Sequence, residues 1–162
     1  MNKLISRVIF LLTTLLLSSS LTSPMYYPSV HDVLRAKGLP AGLLPQEVES
    51  YILHNDGRLE VFLARPCYAK FETNVHFAAV VRANLSYGSL SGVEGLSQKE
   101  LFLWLQVKDI VVENPNSGVI VFDIGVAFKQ LALALFEDPP KCNPYGVLKR
   151  KTRRDRGFKA QM

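Results

Sequence analysis

Apolar and polar positions change period along this chain, and the changes mark its elements. Around residues 29–37, Val30, Val33 and Leu34 recur at helical spacing. Ser29 with Asp32 three residues later has the form of a capping box, and Gly38 supplies a stop. A short helix is predicted there. The stretch from Leu39 to Pro45 is rich in Pro and Gly and reads as a connector, with Pro45 placed to open one more helical turn through Glu47. Beyond it the period falls from 3.6 to 2. Two alternating runs, residues 50–54 and 58–63, flank Asn55-Asp56-Gly57, a hairpin signal. Val75, Phe77, Ala79, Val81, Ala83, Leu85 and Tyr87 then alternate with polar or small residues, which predicts one long strand with a single apolar face.

Residues 88–95, dense in Gly and Ser, read as a loop. Residues 100–113 read as a second long strand, apolar on both faces at residues 101–105. Asn114-Pro115-Asn116-Ser117-Gly118 is a turn, after which residues 119–124 pair back as a hairpin. Gly125 marks a bend. Residues 126–136 alternate strictly enough to be assigned to a strand, although Ala and Leu also favour a helix. The fold class that follows is mainly β: a strongly twisted antiparallel sheet, curled into a barrel or half-barrel, preceded by a short N-terminal helix. Phe77, Leu101, Leu103, Trp104, Leu105 and Phe122 would line either a packed core or an apolar cavity, and the pattern alone does not distinguish the two.

The first twenty residues stand apart. Lys3 and Arg7 precede an apolar stretch of about ten residues, followed by Ser18-Ser19-Ser20. This is the form of a secretory signal peptide, so residues 1–20 are set aside, residues 21–148 form one domain, and the expected localisation is outside the cell. No apolar run reaches the roughly 20 residues of a transmembrane span. Cys67 and Cys142, the only two cysteines, would either form a bridge or remain as free buried thiols. An oxidising compartment favours the bridge, worth roughly 4–5 kcal/mol in the chain-entropy model. Asn84-Leu85-Ser86 is a glycosylation sequon, with Asn84 on the polar face of the long strand.

Charge is distributed unevenly. The formal net charge is +5, yet residues 21–148 carry 10 basic and 13 acidic side chains. The excess lies in residues 149–162, where Lys149, Arg150, Lys151, Arg153, Arg154, Arg156 and Lys159 face only Asp155. Such a stretch reads as a basic disordered tail on a mildly acidic domain, which argues against a nucleic-acid-binding fold. Outside a cell its partners would be acidic polysaccharide or a membrane surface. The dibasic pairs also invite proteolytic trimming.

No catalytic constellation emerges. Gly88-Ser89-Leu90-Ser91-Gly92 has the outline of a nucleophile elbow but places Leu at its centre. His31, His54 and His76 share no metal-ligand spacing, and no phosphate-binding glycine motif is present. Neither a metal nor a cofactor is implied.

A series of motifs carries a resemblance. Gly38-Leu39-Pro40-Ala41-Gly42-Leu43-Leu44-Pro45, Asp56-Gly57-Arg58, Cys67-Tyr68-Ala69-Lys70-Phe71-Glu72, Leu101-Phe102-Leu103-Trp104-Leu105 and Phe136-Glu137 before Cys142 follow in order. Over about residues 28–142 the chain resembles the plant family called domain of unknown function 538. That resemblance implies a small plant protein with a mainly-β fold, likened to lipid-binding domains of the bactericidal permeability-increasing type. Lipid or chlorophyll binding, and hydrolysis of such molecules, have been proposed for the family, with no catalytic residue to carry over. The basic tail extends past the family's usual end. The expectation is a secreted, disulfide-stapled domain that binds an apolar or amphipathic small molecule at Phe77, Leu103, Trp104, Leu105 and Phe122. The alternatives are a cell-wall protein whose tail holds acidic polysaccharide, and an esterase-type hydrolase.

Overall fold

Helix α1 (Val30–Ala36) forms where the capping signal predicts it, and the box is complete. The Asp32 N–H donates to Ser29 Oγ at 3.2 Å, and the Ser29 N–H donates to the Asp32 carboxylate at 3.1 Å. The helix buries Val30 and Leu34. The structure is a computed structural model and describes residues 27–143; the expected leader at 1–20 and the basic stretch at 149–162 lie outside the described residues. A 3₁₀ turn at Ala41–Leu43 follows α1, upstream of the helical turn expected at Pro45, where the chain instead makes a plain turn into the first strand. Gly42 is required here: a Cβ would stand 2.4 Å from the Phe136 carbonyl oxygen, so the early and late parts of the chain can meet only across a glycine.

Among the described residues nine antiparallel strands make one sheet: β1 (Val48–Leu53), β2 (Arg58–Leu63), β3 (Cys67–Lys70), β4 (Asn74–Ser86), β5 (Ser89–Glu100), β6 (Leu103–Gln106), β7 (Asp109–Val111), β8 (Val119–Asp123) and β9 (Phe128–Ala132). The order is β1-β2-β4-β5-β7-β8-β9. β3 adds to the first half of β4, and β6 to the second half of β5. The Asp-Gly hairpin joins β1 to β2 as predicted, and β4 is the long one-faced strand.

Four expectations need correction. The sheet is open, with β1 and β9 at its two ends, where the pattern allowed a closed barrel. Its inner face is covered by α1, the Ala41–Leu43 turn and a later 3₁₀ segment at Leu133–Phe136, so β1 and β9 need not pair to bury it. The Gly-rich segment expected as a loop is most of β5. The strand expected over 100–113 is interrupted by a two-residue turn at Leu101-Phe102, followed by β6 and β7. The strand expected over 126–136 spans only Phe128–Ala132, because the chain then winds into the 3₁₀ segment that turns Phe136 into the core.

The core is one cluster. Leu59, Val61, Val75, Phe77, Val81, Leu90, Val93, Leu96, Ile110, Ile120 and Phe122 face α1 and the 3₁₀ segments, which add Leu34, Leu43 and Phe136. Cys67 and Cys142 form a disulfide across 75 residues of chain, with Cα atoms 5.4 Å apart. It fastens the end of the described chain to β3, where Tyr68 and Asn143 also exchange both backbone hydrogen bonds. No helix among the described residues is long and apolar enough to cross a membrane.

Candidate binding surfaces

The five residues expected to line a ligand site do not share one place. Phe77 and Phe122 are buried in the core, Leu105 packs against it from the side, and Leu103 and Trp104 lie outside. Around Phe77 and Phe122 the rings close tightly: the Phe136 ring centroid is 5.2 Å from Phe122 and 4.7 Å from Phe71. The space left there is about 20 Å³, room for about one water. A second internal space, between Leu43, Leu59 and Ile110, is also about 20 Å³. Around these residues the apolar interior is packed core. At its edge Gln98, buried, donates to Glu100, and Glu100 pairs with Lys129 across the inner face from β5 to β9.

Apolar surface instead gathers at one end of the sheet. β3, β5 and β8 point the same way, because β3 and β5 both run antiparallel to β4, and β5 and β8 both run antiparallel to β7. The turns after these three strands consequently share an end. The β5–β6 turn carries Leu101, 87% exposed, and Phe102, 92% exposed, with Leu103 at 66% beside them. The β8–β9 turn adds Val126 at 77% and Phe128 at 76%. Leu101 has φ +53°, a left-handed conformation in which a Cβ-bearing side chain costs on the order of 1 kcal/mol. Two-residue turns favour Asn or Gly at such a position; here a leucine holds it, aimed into water. Lysines accompany these groups: Lys70 ends β3, Lys99 lies on β5, and Lys108 approaches Gly125 of the β8–β9 turn.

The opposite end is different. Two of its turns are polar, Asn55-Asp56-Gly57 and Asn114 to Gly118, and they are tied by their own side chains: Asp56 accepts from the Arg58 N–H and Asn114 from the Asn116 N–H; the third, between β4 and β5, exposes Tyr87. The Arg58 N–H, with the Arg58 charge behind it, holds the Asp56 carboxyl below its ordinary value.

A third region lies on the outer face of β3 to β6. Tyr68, His76, Ser97 and Gln106 are successive cross-strand partners in one row over four strands. Two positions along, Lys70 stands opposite Asn74 and Lys99 opposite Trp104. Trp104, 44% exposed, leans back so that its ring lies 5.7 Å from Tyr68 and 6.2 Å from His76, and those two are 4.8 Å apart. Partial burial among these rings holds His76 below the ordinary histidine value, in its neutral form at pH 7.

The other chemistry-bearing residues are committed to structure. His31 Nδ1 meets the Ala41 carbonyl at 3.0 Å, and His54 Nε2 meets Glu60 at 3.1 Å. Glu60 also accepts from Arg82 at 3.0 Å; Arg82 first and His54 second hold its carboxyl below the ordinary value. Among the described residues no cluster of three His, Cys, Asp or Glu could hold a metal ion. A groove of about 220 Å³ flanks the disulfide between Glu47, Leu63 and Arg65, with Glu47 accepting from the Cys142 N–H. Asn84 is exposed on the outer face of β4, opposite Ser91. The basic residues Lys149 to Arg156 lie outside the described residues.

Sequence reasoning missed the exposed turn. The apolar run 101–105 was read as strand because Leu101-Phe102 has none of the usual turn residues. The one available signal was the lysine at position 99 and glutamate at position 100, polar positions side by side at the point where the alternation broke.

No curated protein and no solved structure matches this chain. A family model does match, over residues 30–137, from the first turn of α1 to the residue after the Phe136 that closes the core. The match spans the whole sheet, and the chain belongs to DUF538, a family described as protein of unknown function.

Proposed function

We propose that this domain is a binding module that engages an amphipathic, lipid-like surface from outside, through the end of the sheet carrying Leu101, Phe102, Leu103, Val126 and Phe128. The observation that carries this reading is the near-complete exposure of Leu101 and Phe102 at a turn where Leu101 also accepts an unfavourable backbone conformation. Contiguous exposed apolar side chains of this kind mark an interaction site on a soluble surface. Each large apolar side chain gains about 1.5–3 kcal/mol on burial, so two or three suffice for reversible attachment. Lys70, Lys99 and Lys108 around them suit anionic headgroups. The space around Phe77 and Phe122, about 20 Å³, argues against the enclosed small-molecule site that they would have lined. Secretion through a cleaved leader fits this role, since the disulfide belongs to an oxidising compartment.

The test is a vesicle titration read by Trp104, the sole tryptophan and a neighbour of Leu103. Vesicles of phosphatidylcholine with added phosphatidylglycerol should shift its emission to the blue and sediment the protein. Leu101→Asp with Phe102→Asp should abolish both changes while leaving thermal unfolding intact. Sedimentation unchanged by that double substitution would overturn the reading.

A further inference from the structure

The outer face of β3 to β6 has a composition unlike either end of the sheet. Its two rows hold Tyr68, His76 and Trp104 together with Ser97, Gln106, Asn74, Lys70 and Lys99, and no aliphatic side chain. At about 4.8 Å between strands, the row spans roughly 14 Å. A β-sheet face that packs on protein carries aliphatic and β-branched residues; one left to water carries scattered charge. This patch is neither. It offers a ring platform, a set of short hydrogen-bonding groups, and two cations along one edge.

We infer that this face is a binding site for an acidic polysaccharide, a chain of uronic-acid sugars. The C–H face of a pyranose ring carries a slight positive charge and packs on the negative π-face of an aromatic ring; Trp104 is 44% exposed, with the Tyr68 ring tilted at 55° beside it. Sugar hydroxyls need both donors and acceptors, and Asn74 and Ser97 provide both, while Gln106, whose Nε2 donates to the Val93 carbonyl, adds its amide oxygen. The carboxylates fall to Lys70 and Lys99. A neutral His76 suits a platform that stacks rather than pairs charge.

The course of the chain provides an independent reason for choosing an anionic polymer. The backbone of Asn143 is bonded to that of Tyr68 within the patch, and the disulfide at Cys142 holds it there. Lys149 is six residues further on, so even a fully extended chain places the start of the basic stretch within about 20 Å of the rings. The strongest concentration of positive charge in the sequence is thus tethered to the edge of the ring platform.

The test uses the full chain and oligogalacturonate of defined length, measured by calorimetry and by quenching of Trp104. Trp104→Ala should weaken binding at least about tenfold, and Trp104→Phe should restore most of it, because a ring is restored. Lys70→Glu with Lys99→Glu should weaken binding to oligogalacturonate but not to its fully methyl-esterified form. Deleting residues 149–162 should weaken binding and reduce its salt dependence while the Trp104 quench persists at higher ligand concentration. The inference is overturned if Trp104→Ala with an unchanged melting temperature binds as the parent does. It is equally overturned if tail deletion alone removes all binding and quenching, which would make the tail a nonspecific polycation. The vesicle assay is independent: Leu101→Asp with Phe102→Asp addresses the lipid reading, and its failure leaves the polysaccharide result untouched.

Discussion

Phe77 and Phe102 are both aromatic residues in apolar stretches, and the fold gives them opposite fates. Phe77 points to the inner face of β4, fully buried against Leu96 and its neighbours, while Phe102 stands 92% exposed at a turn. The first contributes stability; the second contributes nothing to the fold and is free to act on another surface. Around Phe77, apolar character is a matter of close packing, with about 20 Å³ left over. At the end of the sheet it is surface kept dry only by a partner. The same chemistry therefore reports stability in one place and function in another, and the exposure of each side chain decides between them.

The largest contrast comes from truncating both rings. Phe77→Ala should cost about 3–5 kcal/mol, the usual cost of emptying a packed aromatic site, and lower the melting temperature accordingly. Phe102→Ala should stay within about 0.5 kcal/mol of the parent in the same urea titration and lose vesicle binding instead. Equal destabilisation by the two would erase the distinction. Next in size is the tie that holds the described chain's end to β3. Replacing Cys67 and Cys142 together by serine should remove about 2–4 kcal/mol, seen as an earlier urea midpoint. The vesicle-binding turn lies on β5 and β6 and should keep its affinity at temperatures where the variant is folded.

Acid should act on the polar side of the molecule before it touches the apolar end. Glu60 is held below its ordinary pKa of 4.5, so its contribution is complete above that value. It is lost as pH falls through the depressed folded-state value, because the unfolded chain takes up the proton first. Unfolding midpoints from pH 6 to pH 3 should fall more steeply for the parent than for Glu60→Gln. His76 works in the same direction at higher pH. Its contribution is complete above 6.5 and declines as pH falls from there toward its lower folded value, since the unfolded imidazole charges first. The smallest effect is the sharpest. Leu101→Asn places a residue tolerant of φ +53° at the strained turn, so stability should hold or rise by up to about 1 kcal/mol while vesicle binding weakens. A loss of stability there would mean that Leu101 belongs to the fold and not to the surface.

Much of the fold was legible because local chemistry and tertiary need agree. Ser29 with Asp32 marks α1, Asp56-Gly57 marks the β1–β2 hairpin, and the alternation from Val75 to Leu85 marks β4 and its buried face. β5 was illegible for a definite reason. Its buried residues Leu90, Val93 and Leu96 recur every third position, because irregularities opposite β4 shift the phase where Gly92 and Gly95 take positive φ. A Cβ on Gly95 would stand 2.3 Å from the Val80 carbonyl oxygen, so this close approach requires glycine and also hides the strand from a period-2 reading. Of the candidate residues, Trp104 and Leu103 were recognised but assigned to the same interior as Phe77 and Phe122, whereas the turn at Leu101-Phe102 puts them outside.

Local sequence carries the class of fold, the capped helix, the first hairpin, the pairing of its only two cysteines as one of two options, and the charge asymmetry of the last fourteen residues. Each of these rests on neighbours within a few positions or on composition, which need no partner to be read. Only the folded arrangement shows that the sheet stays open, that the space around Phe77 and Phe122 is filled, and that three rings from β3, β4 and β6 meet on the outer face. Those outcomes depend on contacts between residues up to a hundred positions apart, as Gly42 with Phe136 shows, and close packing between distant segments leaves no periodic trace in the chain.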